Sequence, residues 1–314
     1  MSRITVDRSP PEGWESRCDS ENALFFQSGW QRVMERGLEA RSVYIWDEHA
    51  GHGAVVNVFQ AGPFRIGYLG FPVGGCLGAT GLDDDLIATW RSTRSPLLPD
   101  CLRLPISAFD PPTSLHGRTA QTPETAVVGL GDWHLQAHAA ARRDVAKARR
   151  HGTVVVDASD PAHADLMYRL YRETLSRHRG NMRYTREYFH ELLRLSAAST
   201  RLRCLLAVHD GEAMGFLVAA LHRSTGYYLH AGTDQAHKPL GTMDLLMGSA
   251  IEWAQRHGAQ QFNLMASPPG QPTLVRYKEK WGGTTRTHTT LTVAIRPLTC
   301  RMFHIAERIY QILT

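Results

Sequence analysis

The sequence predicts an α+β protein of two similar domains, and three observations support this prediction. The chain has 314 residues, which is more than one hydrophobic core usually organises. Its composition, with 43% hydrophobic and 21% charged residues, is that of an ordinary globular protein. Two stretches of the chain repeat one order of helix-like and strand-like patterns. We therefore expect an N-terminal domain, 1–132, and a C-terminal domain, 133–314, each with a mixed sheet flanked by helices.

The repeat begins in each half with a helix that leads into three strands. In the first half, SGWQRVMERG has helical spacing, and VYIWDEHAGHGAVVNVFQAGPFRIGYLG alternates between strands and polar turns. In the second half, TREYFHELLRL is followed in the same way by CLLAVHDGEAMGFLVAALHRSTGYYLHAG. Each half is thus predicted to place a helix before an antiparallel three-stranded meander.

A second helix and further strands follow each meander. LDDDLIATWRS leads to CLRLPIS in the first half, and TMDLLMGSAIEWAQRHG leads to QFNLMAS in the second. We expect TAVVGLG to close the first half and TLTVAI to close the second. A long polar helix, DWHLQAHAAARRDVAKARRHG, then the strand VVVD and the helix DLMYRLYRETLSRH join the halves.

Charge and cysteine content restrict the class of protein. The formal net charge is +5, which is compatible with an anionic partner. The five cysteines form no CxxC pair, so neither a disulfide framework nor a zinc knuckle is expected. There is no signal-like N-terminal segment and no apolar run of about 18 residues. We therefore expect a cytoplasmic protein without membrane insertion. The amphipathic CRMFHIAERIYQILT is expected to pack on its own protein, with contact to a membrane surface as the alternative.

Several segments resemble one known family in their order and spacing. They are FFQSGW, ARRDVAKARRHGTVVV, YRETLSRHRGNMRYTREYFHELLRL, GYYLHAGTD, DLLMGSAIEWAQRHGAQQFNLMA and LVRYKEKWGG, which together span residues 25 to 295. The chain is similar to the Fem-type aminoacyltransferases and the broader FemAB-like group of tandem N-acyltransferase (GNAT) proteins. This resemblance implies two GNAT-like domains in tandem, with an acyl donor in a cleft where two parallel strands splay.

The resemblance places a catalytic pair in LVRYKEKWGG. In the family an aromatic residue and a lysine lie at the donor cleft, and Tyr277 and Lys278 occupy the matching positions, although the family more often has Phe at the first. A fixed cation there would stabilise the negative charge that forms when an amine attacks an ester or thioester. Lys278 could instead hold donor phosphates or be a surface lysine. His230 is a candidate base because imidazole titrates near neutrality, although a structural histidine is the other interpretation.

Three residues are candidates for binding the acceptor. Arg177 matches the family arginine that approaches the acceptor's phosphate or carboxylate, and Arg183 lies nearby in sequence. Arginine suits such oxyanions because its planar group can donate two hydrogen bonds at once. Tyr228 matches an acceptor-side tyrosine, and strand alternation predicts that it shares a face with His230. Exposed arginines and a core tyrosine are the alternatives.

The helix ARRDVAKARR concentrates positive charge. Arg142, Arg143, Lys147, Arg149 and Arg150 lie within about two and a half turns. Such a ridge could follow an RNA backbone, because phosphate contacts dominate affinity for nucleic acids. We assign Arg142, Arg143, Lys147 and Arg150 to donor tRNA, with a solvated helix face as the alternative.

Other signatures narrow the choice of donor. Acetyl-CoA enzymes of this fold usually carry Arg/Gln-x-x-Gly-x-Gly/Ala before the helix whose N-terminus binds pyrophosphate. Here QAHKPLGTMDLL has Gly241 alone, and Pro239 removes a main-chain donor. His134 and His138 have no third ligand in view, so no metal is expected. GxxxxGK[ST], GxSxG and HExxH do not occur in the sequence.

The sequence is therefore interpreted as an aminoacyltransferase that takes an amino acid from aminoacyl-tRNA and forms an amide on an amine. The acceptor would be a small peptide, a nucleoside natural product or a peptidoglycan precursor. Aminoacyl-tRNA acts as a co-substrate, and no other cofactor is expected. An acyl-CoA-dependent N-acyltransferase and a non-catalytic RNA-binding protein are the alternatives.

Overall fold

The computed structural model describes residues 4–49, 51–78, 84–110, 116–178, 183–234 and 241–313. For 84–86, 178 and 310–313 it describes the main chain alone. The chain divides into two compact units. The first contains 1–35, 39–121 and 287–314, and the second contains 36–38 and 122–286. Each unit is described separately below.

The first unit is an α+β layer around one sheet. Its sheet has the strand order β1-β2-β3-β4-β5-β12, where β12 is Thr284–Ala294. Strands β4 and β5 run parallel, and the other described pairs are antiparallel. Aliphatic side chains of these strands pack with Ile87 and Trp90 of α3 to form its core. The elements in chain order are β1 (Ile4–Asp7), α1 (Trp14–Ser20), α2 (Ser28–Leu38), β2 (Arg41–Asp47), β3 (His52–Ala61), β4 (Phe64–Leu69), α3 (Asp84–Ser92) and β5 (Cys101–Ile106).

The second unit has the same order of helix, meander, helix and strand. Its sheet has the order β6-β11-β10-β9-β8-β7, with β10 and β11 parallel. Small and aliphatic side chains of α5 and α8 pack on the sheet together with Trp253 and Trp281. Its elements are β6 (Arg118–Val128), α4 (Trp133–Gln136), α5 (Ala139–Arg150), β7 (Val154–Asp157), α6 (Pro161–His178), α7 (Arg186–Ala198), β8 (Leu202–His209), β9 (Glu212–His222), β10 (Thr225–Thr233), α8 (Thr242–Arg256), β11 (Gln261–Ala266) and α9 (Pro272–Glu279).

The predicted repeat is present, but the closing strands are exchanged between the halves. After the second half come β12 (Thr284–Ala294) and α10 (Pro297–Leu313). Strand β12 pairs with β5 of the first unit from Thr289 opposite Ile106 to Ala294 opposite Cys101. Strand β6, which follows the first half, pairs with β11 of the second unit. The compact units therefore divide after residue 121 rather than 132, and 287–314 belong to the first unit.

Two further expectations differ from the structure. The long joining helix is interrupted, because His138 is extended and donates its main-chain N–H to the Lys280 carbonyl. Cys101 and Cys300 form a disulfide, which the sequence analysis did not expect, across a separation of 199 positions. A bond between such distant positions leaves no spacing signature, and the strand exchange brings the two together. Among the described helices, none combines the length and the apolar character needed to cross a bilayer.

The two glycines that end LVRYKEKWGG have a packing role. Gly282 has a φ of +84°, and a Cβ added to it would lie 2.6 Å from the Cβ of Gln136. A Cβ on Gly283 would lie 2.6 Å from Cγ2 of Thr125. Both distances are too short for real atoms, so these glycines let the chain turn closely against α4 and β6 before it enters β12.

We predict that Gly282→Ala destabilises the protein more than Gly258→Ala does. Gly258 has a similar φ of +81°, but an added Cβ meets nothing within 4 Å. Gly258→Ala should therefore cost about 1–2 kcal/mol in backbone strain. Gly282→Ala should cost about 2 kcal/mol more, because of the overpacking. Urea unfolding of both variants measures the difference, and equal losses would contradict the packing role.

Candidate functional site

The candidate site lies where two parallel strands of the second unit separate. Strands β10 and β11 pair at Thr225–Gln261, Gly226–Phe262 and Tyr227–Asn263 only, although β10 continues to Thr233 and β11 to Ala266. Past Tyr227, no described strand pairs with this edge of β10. A ligand that enters between the strands could therefore pair with the main chain of β10 along the stretch that no described strand covers.

Lys278 holds the end of β11 at this opening. Its side chain is 3% exposed. Its ammonium donates to the carbonyls of Met265, at 2.8 Å, and Ala266, at 3.1 Å, and to Ser267 Oγ, at 2.9 Å. An ammonium has three donors, so all of them are used within the protein. This cation was expected to face the donor carbonyl, but it is buried and bonded to the end of β11.

The strand end that Lys278 holds is irregular. Met265 has a φ of +64°, which is uncommon for a residue with a side chain. The pairing of β11 with β6 shifts between Asn263 and Ala266, and the Asn263 amide donates to Glu124 Oε1 at 2.9 Å. Burial lowers the pKa of Lys278 to about 8, while the Glu124 carboxylate acts to raise it. This buried polar cluster fixes the irregular end of β11.

A second polar cluster lies at the start of α8. Gly241 precedes the helix with a φ of +73°, and Asp244 lies in the first turn. The Asp244 carboxylate is 2.6 Å from Lys280 Nζ, whose side chain is only 18% exposed. Burial raises the pKa of Asp244. Burial and the nearby Asp244 raise the pKa of Tyr277, so that its hydroxyl stays protonated.

His230 of β10 packs among aromatic side chains of α7 and of the segment that precedes it. Its Nε2 is 2.8 Å from the hydroxyl of Tyr188, and the ring of Tyr184 contacts it at 4.3 Å between centroids. Burial, and secondarily the charge of Arg183, lower the pKa of His230 to about 3. The imidazole is therefore neutral at physiological pH and a weak base, which does not favour the predicted role in proton abstraction.

Tyr228 and His230 do not share a face of β10, which corrects the expectation from strand alternation. The register of β10 against β9 shifts between these two residues, so a bulge interrupts the period of two. Tyr228 packs against the core cluster that contains α8, whereas His230 contacts Phe189 of α7. Burial raises the pKa of Tyr228 to about 12.

The predicted acceptor arginines lie toward the far end of β10. Arg177 is exposed and donates to Thr174 Oγ1 at 2.9 Å and to the Thr233 carbonyl at 3.4 Å. Arg183 is exposed and is close enough to His230 to affect its titration. Arg177 also lines a cavity of about 510 Å³ with Tyr168, Arg169, Arg172, Glu173, Ser176 and Asp234.

The basic residues of α5 do not all lie on one exposed face of the helix. Arg142 donates to the carbonyls of His134, at 2.9 Å, and Ala137, so it caps α4. Arg143 and Arg150 are exposed and Lys147 is partly exposed. Their spacing of four and three residues places them on one face of the helix. The structure thus retains a narrower basic face of Arg143, Lys147 and Arg150.

Several residues of the site could not be predicted from the sequence. Glu124, Asn263 and Ser267 gave no signal, because each is an isolated polar residue whose partners are distant in sequence. Asp244 could have been found as an acidic residue in the first turn of the predicted helix. Pro239, which the sequence analysis weighed against a coenzyme A site, lies outside the described residues.

Comparisons with known proteins agree with this fold. Residues 136–279 match the model of the acetyltransferase (GNAT) domain family. The structure of FemX superposes with a TM-score of 0.70 and 11% identity, over 94% of this chain and 98% of FemX. The C-terminal domain of a candidate lysylphosphatidylglycerol synthetase from Agrobacterium fabrum gives a TM-score of 0.57 and 14% identity, over 88% of this chain and 90% of that one.

A third similar structure is the tandem GNAT protein from the clavulanic acid biosynthesis pathway. Its TM-score is 0.53 at 11% identity, over 94% of this chain and 99% of that one. No curated protein sequence matches the chain. Residues 136–279 of the second unit are therefore similar to a GNAT domain, and the chain has the tandem GNAT fold seen in FemX and in the clavulanic acid pathway protein. The predicted resemblance to that group is confirmed at the level of the fold.

We predict that Lys278 makes the free energy of unfolding change with pH in the alkaline range. Its pKa is about 8 when folded, against an ordinary 10.5. Between these values the unfolded chain binds more protons, so the free energy of unfolding rises with pH. The stability of the wild type relative to Lys278→Met should increase by about 2 kcal/mol from about pH 7.5 to about pH 9.5.

Denaturant unfolding at both pH values tests this expectation. Lys147→Met, at a partly exposed position, is the control for removing a lysine charge. A difference between the wild type and Lys278→Met that stays constant over this range would contradict the buried position of the ammonium.

Proposed function

We propose that the protein is an aminoacyl-tRNA-dependent aminoacyltransferase that forms an amide bond on an amine acceptor. The GNAT domain and the tandem fold support an acyltransferase. The choice of an aminoacyl-tRNA donor rests on the start of α8 and on the adjacent basic helix. The acceptor class rests on the arginines near the end of β10.

The start of α8 is the observation that carries the proposal. In a coenzyme A enzyme, the N-terminus of this helix offers free main-chain N–H groups to the pyrophosphate. Here a Cβ added to Gly241 would lie 2.7 Å from the Asp144 carbonyl oxygen of α5, so α5 packs closely on that terminus. The Asp244 carboxylate, which is paired with Lys280, already occupies the first turn at the positive end of the helix dipole. These features disfavour an acyl-CoA donor.

Helix α5 supports a nucleic acid in place of coenzyme A. It packs on α8, where Val145 lies 3.4 Å from the position of a Cβ on Gly248. The basic face of Arg143, Lys147 and Arg150 is therefore carried by an element in contact with the donor end of the cleft. Three cations at helical spacing suit the phosphates of a tRNA acceptor stem.

The aminoacyl ester is an activated acyl group, so binding geometry and charge stabilisation can provide the catalysis. The acceptor amine attacks the ester carbonyl and forms the C–N bond. Main-chain N–H groups on the edge of β10 that no described strand covers beyond Tyr227 can donate to the oxyanion. The C–O bond to the tRNA ribose then breaks, its oxygen takes up a proton, and the amide nitrogen loses one to solvent. No covalent enzyme intermediate is required.

Lys278 contributes as a positioning residue in this scheme. Its three hydrogen bonds to Met265, Ala266 and Ser267 leave no donor for the substrate. They hold β11 away from β10, which keeps the edge of β10 open for the carbonyl. The Tyr277 hydroxyl and ring lie next to Asp244 and Lys280 and form the wall at the donor end.

The acceptor is proposed to carry a carboxylate or phosphate near its amine. Arg177 contacts the end of β10, and the cavity that it lines contains both arginines and carboxylates. Such a cavity can bind an oxyanion and an ammonium of one molecule. A small peptide, a nucleoside natural product and a peptidoglycan precursor all have this chemistry. A cytoplasmic location would fit these substrates and a tRNA donor.

The experiment that tests the proposal compares donors. Purified protein is incubated with total tRNA charged with radiolabelled amino acids and with candidate amines, and amide products are counted. We expect label transfer that ribonuclease pretreatment abolishes. Acyl transfer from acyl-CoA that survives ribonuclease would replace the proposal with the acyl-CoA alternative. Binding of tRNA without any transfer would support the non-catalytic alternative.

The basic face of α5 generates a separate prediction. Arg143→Glu with Arg150→Glu should raise KM for charged tRNA at least about tenfold and should leave kcat within about twofold, because these residues contact phosphates rather than the reacting atoms. Arg32→Glu, at an exposed position on α2, is the matched control. An unchanged KM in the α5 variant would exclude this face from tRNA binding.

A further inference from the structure

Helix α10 of the first unit exposes an apolar stripe. Leu298 is 81% exposed, Met302 is 60% exposed, and Ile305 and Ile309 are each 53% exposed. Their spacing of four, three and four residues places them on one side of the helix. Four exposed aliphatic side chains in line differ from the scattered apolar residues of an ordinary surface. The expectation that this helix buries its apolar side on its own protein holds only for the opposite side.

The opposite side of α10 is fixed to the sheet. Cys300 is 2% exposed and bonded to Cys101 of β5, and Phe303 packs on Phe64 of β4. Glu307 Oε1 is 2.6 Å from Arg103 Nη2. The exposed stripe is therefore presented by a helix whose orientation within the unit is set by covalent and ionic contacts.

Basic side chains lie next to the stripe at Ile305. A cavity of about 630 Å³ beside α10 is lined by Arg91, Arg118, Arg301 and Arg308, and by His116 and His304. Ile305 of the stripe lines the same cavity, and no Asp or Glu does. Arg118, Arg301 and Arg308 are exposed and form no ion pair with the described residues. An apolar stripe next to a group of cations is typical of helices that lie at the surface of an anionic membrane.

We propose that α10 docks the protein on an anionic phospholipid bilayer. The helix lies parallel to the surface, with Leu298, Met302, Ile305 and Ile309 at the boundary between headgroups and acyl chains. The arginines of the adjacent cavity bind lipid phosphates, because a guanidinium can donate two hydrogen bonds to one phosphate. This docking does not depend on the reaction proposed above.

Charge favours a lipid surface over a second copy of the chain. A symmetric dimer would place the same patch of both copies face to face. The arginines that border the stripe would then meet each other, and no carboxylate of the cavity lining would neutralise them. An anionic bilayer instead supplies both the apolar phase and the opposite charge.

Vesicle sedimentation tests the proposal on the full chain. The protein is mixed with vesicles of phosphatidylglycerol and phosphatidylcholine, or of phosphatidylcholine alone, and the pelleted fraction is measured at low and high salt. We expect binding to the anionic vesicles that falls as salt is raised. Leu298→Glu with Met302→Glu should weaken binding at least about tenfold, and so should Arg301→Glu with Arg308→Glu.

Controls separate docking from other effects. Leu135→Glu changes an exposed leucine of α4, 82% exposed, and should leave vesicle binding unchanged. Because all substituted side chains are exposed, circular dichroism should show folded variants. Failure of the wild type to sediment with anionic vesicles would overturn the proposal. The proposal would also be overturned if Leu298→Glu with Met302→Glu bound anionic vesicles as well as the wild type does. The same holds if the wild type formed a dimer that this double variant disrupts.

Discussion

The end of the parallel pairing between β10 and β11 is the feature on which the account of this site depends. Two neighbouring parallel strands would ordinarily continue to pair, since unpaired main-chain groups are costly when buried. Here the pairing of β11 with β10 ends at Asn263. The Lys278 ammonium donates hydrogen bonds to the carbonyls of Met265 and Ala266. Three oxygen atoms satisfy the donors of this ammonium, although burial lowers its pKa to about 8. The opened edge of β10 is the consequence.

The order of elements could be predicted from the sequence, but the pairing of strands could not. Helical and strand periodicities predicted both meanders and the helix and strand that follow each. They could not predict that β12 pairs with β5 and β6 with β11, since alternation indicates a strand without naming its partner. The Cys101–Cys300 disulfide was missed for the same reason. Cys101 and Cys300 can be recognised as neighbours only when the pairing of β12 with β5 is known.

The candidate site was predicted in part. The position of Lys278 and Tyr277 beside the splayed strands agrees with the resemblance to FemAB-like proteins, but the direction of the ammonium does not agree with the expected contact to substrate. A bulge moved His230 to the opposite face from Tyr228. Capping of α4 removed Arg142 from the basic face. Each difference arises from local main-chain geometry, which periodicity and charge counts do not include.

The most direct test of the central claim is the single-turnover rate of amide formation from charged tRNA, measured from about pH 6.5 to about pH 9.5. Because the ammonium of Lys278 holds β11 in place, the wild-type rate should fall as the pH rises through about 8. Lys278→Met should be slower by about 100-fold and should lack this fall. A Lys278→Met protein that transfers at the wild-type rate would contradict the account.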